Sequence, residues 1–128
     1  MAETNRPLSP HLQIYRWSWT MAMSVLHRVT GVALYAGTLL LAAWLVAAAS
    51  GQASFDMAQW AASSWLGQTV LFGYTFALMH HMFGGLRHFI WDMGHGYGLS
   101  QRMNLAKATL FLSVPSTILI WVVAYAAR

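Results

Sequence analysis

The sequence predicts an all-α membrane protein whose single domain, residues 1–128, is built on three transmembrane helices. Three observations lead there. Hydrophobic residues make up 58% of the chain and charged residues only 8%, where a soluble domain runs nearer half and a quarter. Acidic and basic residues are missing between Arg28 and Asp56, between Asp56 and Arg87, and between Lys107 and Arg128. Each gap can hold the roughly 20 apolar residues that cross a bilayer as a helix.

Composition narrows the function classes. A length of 128 residues suits one domain. The chain has no cysteine, which removes disulfides, thiolate zinc sites and iron–sulfur ligation by this polypeptide. The net charge of +4 arises from basic residues scattered singly. A nucleic-acid reader would need a basic stripe, so no nucleic-acid partner is expected and the charge reads as membrane topology.

In chain order, "MAETNRPLSPHLQIYRWSWT" is polar, with two prolines and no apolar core. It predicts a short cytoplasmic segment, about residues 1–22, rather than a cleavable signal peptide. The first span runs from about Ser24 to Ala49. The linker "SGQASFDMAQ" is polar and rich in turn formers. The second span covers about Ser64–Phe89, and the glycine-rich linker "DMGHGYGLSQRMN" leads to the third, about Ala106–Ala127. Pro115 lies inside the third span, where Ser113, Ser116 and Thr117 are near enough to satisfy freed backbone groups.

Basic residues set the orientation. Arg6, Arg16 and Arg28 precede or open span one, the first linker has none, and Arg87, Arg102 and Lys107 flank the second linker. The positive-inside tendency then places the N-terminus in the cytoplasm and the C-terminus outside, in the periplasm of a bacterial inner membrane. Trp17, Trp19, Trp60, Trp65 and Trp91 fit an interfacial aromatic belt.

The chemistry concentrates in "HHMFGGLRH", residues 80–88. At 100° per residue, His81 and His88 share one face with Gly84 and Gly85 between them, while His80 and Arg87 form a second pair rotated away. His81 and His88 are about 10 Å apart along the axis. Polar groups at membrane depth face a bundle interior or a functional site, and neutral imidazole is a strong metal ligand. The pattern suggests a haem held by His81, with the two glycines making room for the macrocycle and His88 at its cytoplasmic edge. Two haems would collide at this spacing, so at most one histidine of the pair is a ligand. The structural reading stands beside this one: membrane histidines commonly serve packing, and paired glycines commonly mark helix–helix contacts. Pattern alone separates His80 from His81 only through the glycine face, which favours His81. His11 and His95 fall outside the spans.

A polar stripe opens span one in "SVLHRVTG": Ser24, His27, Arg28, Gly31 and Tyr35 recur at helical spacing. Arg28 is placed to snorkel to headgroups, and equally to hold a carboxylate by charge-assisted bonds. Ser24 beside it can bond a quinone carbonyl. Tyr35 reads as packing.

Together, "RPLSPHLQIY", "SVLHRVTG" and "HHMFGGLRHFIWDMGHG" resemble the cytochrome b membrane-anchor subunits of succinate dehydrogenase, respiratory complex II, in the family's order. The resemblance covers Arg6 to about Gly98; the third span matches only in length and apolarity. It implies half of a haem-binding helix bundle, paired in the bilayer with a second small membrane-anchor subunit. The two anchors dock a flavoprotein and an iron–sulfur subunit. It further implies one haem b shared between the anchors, with His81 as this chain's axial ligand. By the same resemblance His27 and Arg28 lie close to the propionates and His88 near the haem edge, while Ser24 and Arg28 form part of the ubiquinone site. None of the implied residues acts on succinate. Asp92 matches an acidic position without a clear role, and His80 matches no fixed histidine. A quinol:fumarate reductase anchor and a non-redox anchor are the alternative readings.

Overall fold

The computed structural model describes residues 15–127. Arg6, His11, Arg128 and most of "RPLSPHLQIY" lie outside the described residues. Four helices follow in order: α1 (Trp19–Ala49), α2 (Gln52–Ser63), α3 (Trp65–Asp92) and α4 (Leu99–Ala126). The all-helical class is as expected. The linker expected between the first two spans is instead α2, a short helix. Its half-buried residues Phe55, Ala58 and Ala62 recur at spacings of three and four, a face too rich in alanine to stand out in composition. Phe55 packs edge-on against Trp44 of α1 at 6.0 Å, and Gln59 accepts a 3.2 Å hydrogen bond from the Trp44 indole.

α1 and α4 also begin earlier than apolarity indicates. Ser18 caps α1 by accepting from the Met21 N–H, and α4 takes in "SQRMN" from the expected linker. Apolarity marks only the hydrocarbon, whereas a helix of 31 residues, about 46 Å long, continues into the headgroup layer. The second linker shrinks to a turn that passes through Gly94 and Gly96, both at φ +81°. That left-handed region is one in which glycine carries no Cβ penalty. Pro115 sits in unbroken helix, with Ser113 and Thr117 donating to the carbonyls of Leu110 and Ser113.

α3 packs against both α1 and α4, and α1 also meets α4. What these helices bury is inverted relative to a water-soluble protein. Among the described residues the buried side chains are Met23, Ala77 and Ala106 on the apolar side, against Thr30, His80, Arg87, Thr109, Ser113 and Thr117 on the polar side. Val32, Leu39 and Phe111 are about 70% exposed. In lipid no hydrophobic force drives helices together; small residues and interhelical hydrogen bonds do. The buried hydroxyls are satisfied locally: Thr30 donates to Leu26, Thr109 to Leu105 and Thr117 to Ser113. Between helices, the Tyr74 hydroxyl reaches the Leu34 carbonyl, and the Trp121 indole donates to Thr75. By length and apolarity α1 and α4 qualify as membrane-crossing helices. α3 is as long as α4 but spends more of its sequence on glycine and histidine.

Candidate functional site

One residue of offset on α3 separates the histidines. His80 is fully buried; its Nδ1 lies 3.3 Å from the Ser113 hydroxyl of α4, and its ring stacks on Phe76. His81, rotated by 100°, reaches α1 instead. Its Nδ1 lies 3.1 Å from the His27 carbonyl and 3.5 Å from the Thr30 hydroxyl. A carbonyl only accepts, so this contact puts the ring proton on Nδ1 and leaves the lone pair on Nε2. Metal-ligating histidines are commonly oriented by such a bond from the second ring nitrogen to a backbone carbonyl. His80 and His81 therefore differ in surroundings, not in chemistry: the first is committed to the α3–α4 interior.

Two more imidazoles cluster here. The His27 ring stacks on His81 with centroids 4.0 Å apart and planes within 7°. It also stands 5.2 Å from His88, which is itself exposed and edge-on to Trp91 at 5.2 Å. Glycines admit this arrangement. A Cβ at Gly31 would lie 3.0 Å from His81 Cε1, and a Cβ at Gly84 would overlap the His27 ring at Nδ1.

The expectation that Gly84 and Gly85 both clear one flat space is corrected. Gly84 is buried beneath His27, whereas a Cβ at Gly85 meets nothing within 4 Å. The pair straddles the edge of the helix interface, because successive residues on a helix diverge by 100°. The stripe on α1 divides for the same reason. His27 and Gly31 line the contact with α3, Ser24 is half-buried, and Arg28 and Tyr35 are exposed. Tyr35 is 80% exposed, so its expected packing role within this chain is not met. His81, Gly85 and His88 thus border a flank of α3 that the other described helices leave open.

Arg87 takes the other side. It is buried, its guanidinium lies 5.1 Å from the centre of the Trp91 ring, and its Nε has no partner among the described residues. Trp91, read as an interfacial belt residue, is half-buried, and its indole nitrogen likewise has no partner among the described residues. Their spacing of four was a visible signal for this cation–π contact. Thr30 and Ser113, which contact the two histidines, gave no signal beyond being polar within apolar spans. His95 is exposed in the turn after α3.

Among the described residues no group of three or more histidine and carboxylate side chains could hold a free metal ion. A metal carried in a macrocycle needs only one nitrogen from this chain. His81 can offer that nitrogen at an open flank, and Gly85 presents no side chain there.

A sequence profile described as "Succinate dehydrogenase/Fumarate reductase transmembrane subunit" matches residues 2–123. The succinate dehydrogenase cytochrome b556 subunit of Paracoccus denitrificans is 42% identical over 119 residues, 93% of this chain and 92% of that protein. The mitochondrial cytochrome b560 subunit of Bos taurus is 44% identical over 121 residues, covering 89% of this chain and 69% of its own length. The b556 subunit of Rickettsia felis is 32% identical, with 91% of each chain covered. A profile spanning nearly the whole chain, relatives matched over most of their length and an inverted, lipid-adapted interior agree: the chain belongs to the succinate dehydrogenase/fumarate reductase transmembrane subunits, among the cytochrome b anchors of succinate dehydrogenase.

Proposed function

We propose that this chain carries one side of a b-type haem through His81 and contributes Ser24 and Arg28 to a ubiquinone site beside it. The observation that carries the reading is the 3.1 Å contact between His81 Nδ1 and the His27 carbonyl, which turns Nε2 into the free ligand nitrogen. The residues present fit a haem. His27 Nδ1 is buried without a partner among the described residues, Gly85 leaves space on the open flank, and His88 and Arg28 are exposed. Bound haem supplies a one-electron carrier within the bilayer. His81 holds the iron, and His27, Arg28 and His88 are the groups for its propionate edge. A further ligand would come from another polypeptide, since the described helices leave the flank uncovered.

Ser24 and Arg28 lie one turn apart on α1 and so share a face. The Ser24 hydroxyl can bond a quinone carbonyl. The Arg28 guanidinium stabilises negative charge that develops on the quinone as it is reduced, an effect that counts for more in a low-dielectric setting than in water.

Three spans are α1, α3 and α4. α3 turns His80 and Arg87 inward and shows lipid or partner an apolar surface that includes Phe72, Leu78, Met82, Leu86 and Phe89. α2 lies at the outer surface, with the N-terminus cytoplasmic and the C-terminus periplasmic. The partners are a second small anchor subunit, an iron–sulfur subunit and a flavoprotein. The test is the dithionite-reduced minus oxidised spectrum of the purified complex. The wild type should show a b-type α-band and His81→Ala should lose or shift it. An unaltered band in His81→Ala sinks the ligand assignment.

A further inference from the structure

We propose that Gly84 and Gly31 are positioning residues for the His81 imidazole: Gly84 leaves the space in which the His27 ring lies against His81, and Gly31 lets the backbone of α1 come up to that ring. This rests on the reading of His81 as a haem ligand and adds to it how the ligand is aimed.

Two contacts fix the His81 ring. Its edge is set by the His27 carbonyl at 3.1 Å, with the Thr30 hydroxyl at 3.5 Å from the same nitrogen. Its face is set by the His27 ring, 4.0 Å away and nearly parallel. Backbone and side chain of one residue therefore grip the same imidazole in two directions. Each contact depends on a missing side chain across the α1–α3 interface. A Cβ at Gly31 would stand 3.0 Å from His81 Cε1, closer than ordinary van der Waals contact, and would press the ring away from the carbonyl. A Cβ at Gly84 would occupy the place of the His27 imidazole at Nδ1, Cε1 and Cγ. His27 would have to turn off His81. The other glycines of α3 do not share this property: Gly73 and Gly85 have nothing within 4 Å of a Cβ, and Gly67 meets only backbone carbonyls near the far end of the helix. Gly84 is thus distinguished from its neighbour Gly85 by what it touches.

The consequence is electronic as well as mechanical. A hydrogen bond from Nδ1 to a carbonyl fixes the tautomer and raises the basicity of Nε2, and losing such outer contacts typically lowers metal affinity about 10–100-fold. Orientation of the ligand plane is set by the stacked ring. Gly84 acts on that orientation through the His27 side chain, so its effect requires an imidazole at position 27.

The experiment is a double-substitution cycle on the complete purified complex, read by the rate of haem loss to a haem-scavenging apoprotein and by the haem midpoint potential. Gly84→Ala is expected to speed haem loss about 10-fold or more and to shift the potential. In a His27→Ala background the same substitution should change either readout less than about 2-fold or not measurably, because nothing is left for the new methyl to displace. Gly73→Ala, in the same helix, should leave both readouts unchanged. Gly31→Ala should act like Gly84→Ala but persist in the His27→Ala background, since it presses on His81 itself. Equal effects of Gly84→Ala with and without the imidazole, or no effect in the wild type, overturn the proposal. Should Gly84→Ala fail to assemble, recovery of assembly by adding His27→Ala supports it and failure to recover overturns it. Retention of the b-type band in His81→Ala would instead refute the underlying ligand assignment, independently of the cycle.

Discussion

The His80–Ser113 contact offers a sharp energetic test of how this interior is held together. Both side chains are fully buried. The Ser113 hydroxyl donates its one proton to the Leu110 carbonyl at 3.1 Å and therefore accepts from His80 Nδ1 at 3.3 Å. His80 Nε2 has no partner, so Ser113 is the single group that satisfies this imidazole among the described residues. Ser113→Ala removes the acceptor with almost no change of volume and strands the N–H. A stranded buried donor costs about 1–3 kcal/mol, while hydrogen bonds between membrane helices average about 0.6 kcal/mol and reach about 1.7. The long contact places the cost near the overlap of these ranges, about 1 kcal/mol. His80→Leu, by contrast, removes the orphaned nitrogen together with the bonded one and leaves Ser113 bonded to Leu110, so it should be close to neutral. In that background Ser113→Ala should cost nothing measurable. The assay is denaturant unfolding of the purified complex in mixed micelles, followed by helical signal, for the two single variants and the double. Equal cost of Ser113→Ala in both backgrounds would mean that the hydroxyl serves only its own helix, and the reasoning about a polar interior would fail.

Other outcomes can be checked alongside. Arg28→Ala should slow quinone reduction by the complex by about 10-fold or more while leaving succinate oxidation by a soluble artificial acceptor intact; a parallel loss of both would remove Arg28 from the quinone site. Gly37→Leu would drive a side chain into the Tyr74 ring and should destabilise the α1–α3 pair by about 1–3 kcal/mol, measured by the same unfolding assay, whereas Gly73→Leu should be far milder. Because the chain lacks cysteine, single cysteines report topology cleanly. A thiol at exposed Met57 of α2 should label with an impermeant reagent from the periplasm, and one at exposed Arg102 only after the membrane is opened; the opposite pattern reverses the assigned orientation.

The features legible in the sequence are those that rest on periodicity and on charge-free length. The helical class and the separation of His80 from His81 onto different faces follow from 100° per residue and hold in three dimensions. What composition could not show is where a helix stops being apolar without ceasing to be a helix. α1 starts at Trp19 and α4 at Leu99 because caps, not hydropathy, end them. α2 escaped notice since its half-buried face is largely alanine, which reads the same in a turn as in a contact. At the site, the paired glycines looked like one feature. Only the approach of α1 decides that Gly84 lies under a side chain and Gly85 under none, and tertiary approach leaves no mark on local pattern. Thr30 and Ser113 were unreadable for a related reason: a hydroxyl in a membrane helix can always bond its own backbone, as both do here, so its sequence position carries no sign of a second partner.

The offset of one residue between His80 and His81 also bears on why the proposed haem site would need a second polypeptide. His80 and Arg87 are seven residues apart and both are buried; His81 and His88 are seven apart and lie toward the open flank, with His88 exposed. The same periodicity thus runs two polar rows along α3, one inward to α4 and one outward past α1. The inward row helps bind the helices of this chain to each other through Ser113. The outward row borders space that none of the described helices fills, and a haem there would take one nitrogen from this chain. Moving the histidine by one residue would bury that nitrogen against α4, where His80 lies. A chain carrying His81→Ala with His80 intact should therefore lose or shift the b-type band, although an imidazole remains one residue away. Haem retained in that variant with native-like ligation would show that the two rows are interchangeable and would break the link drawn here between helical rotation and function.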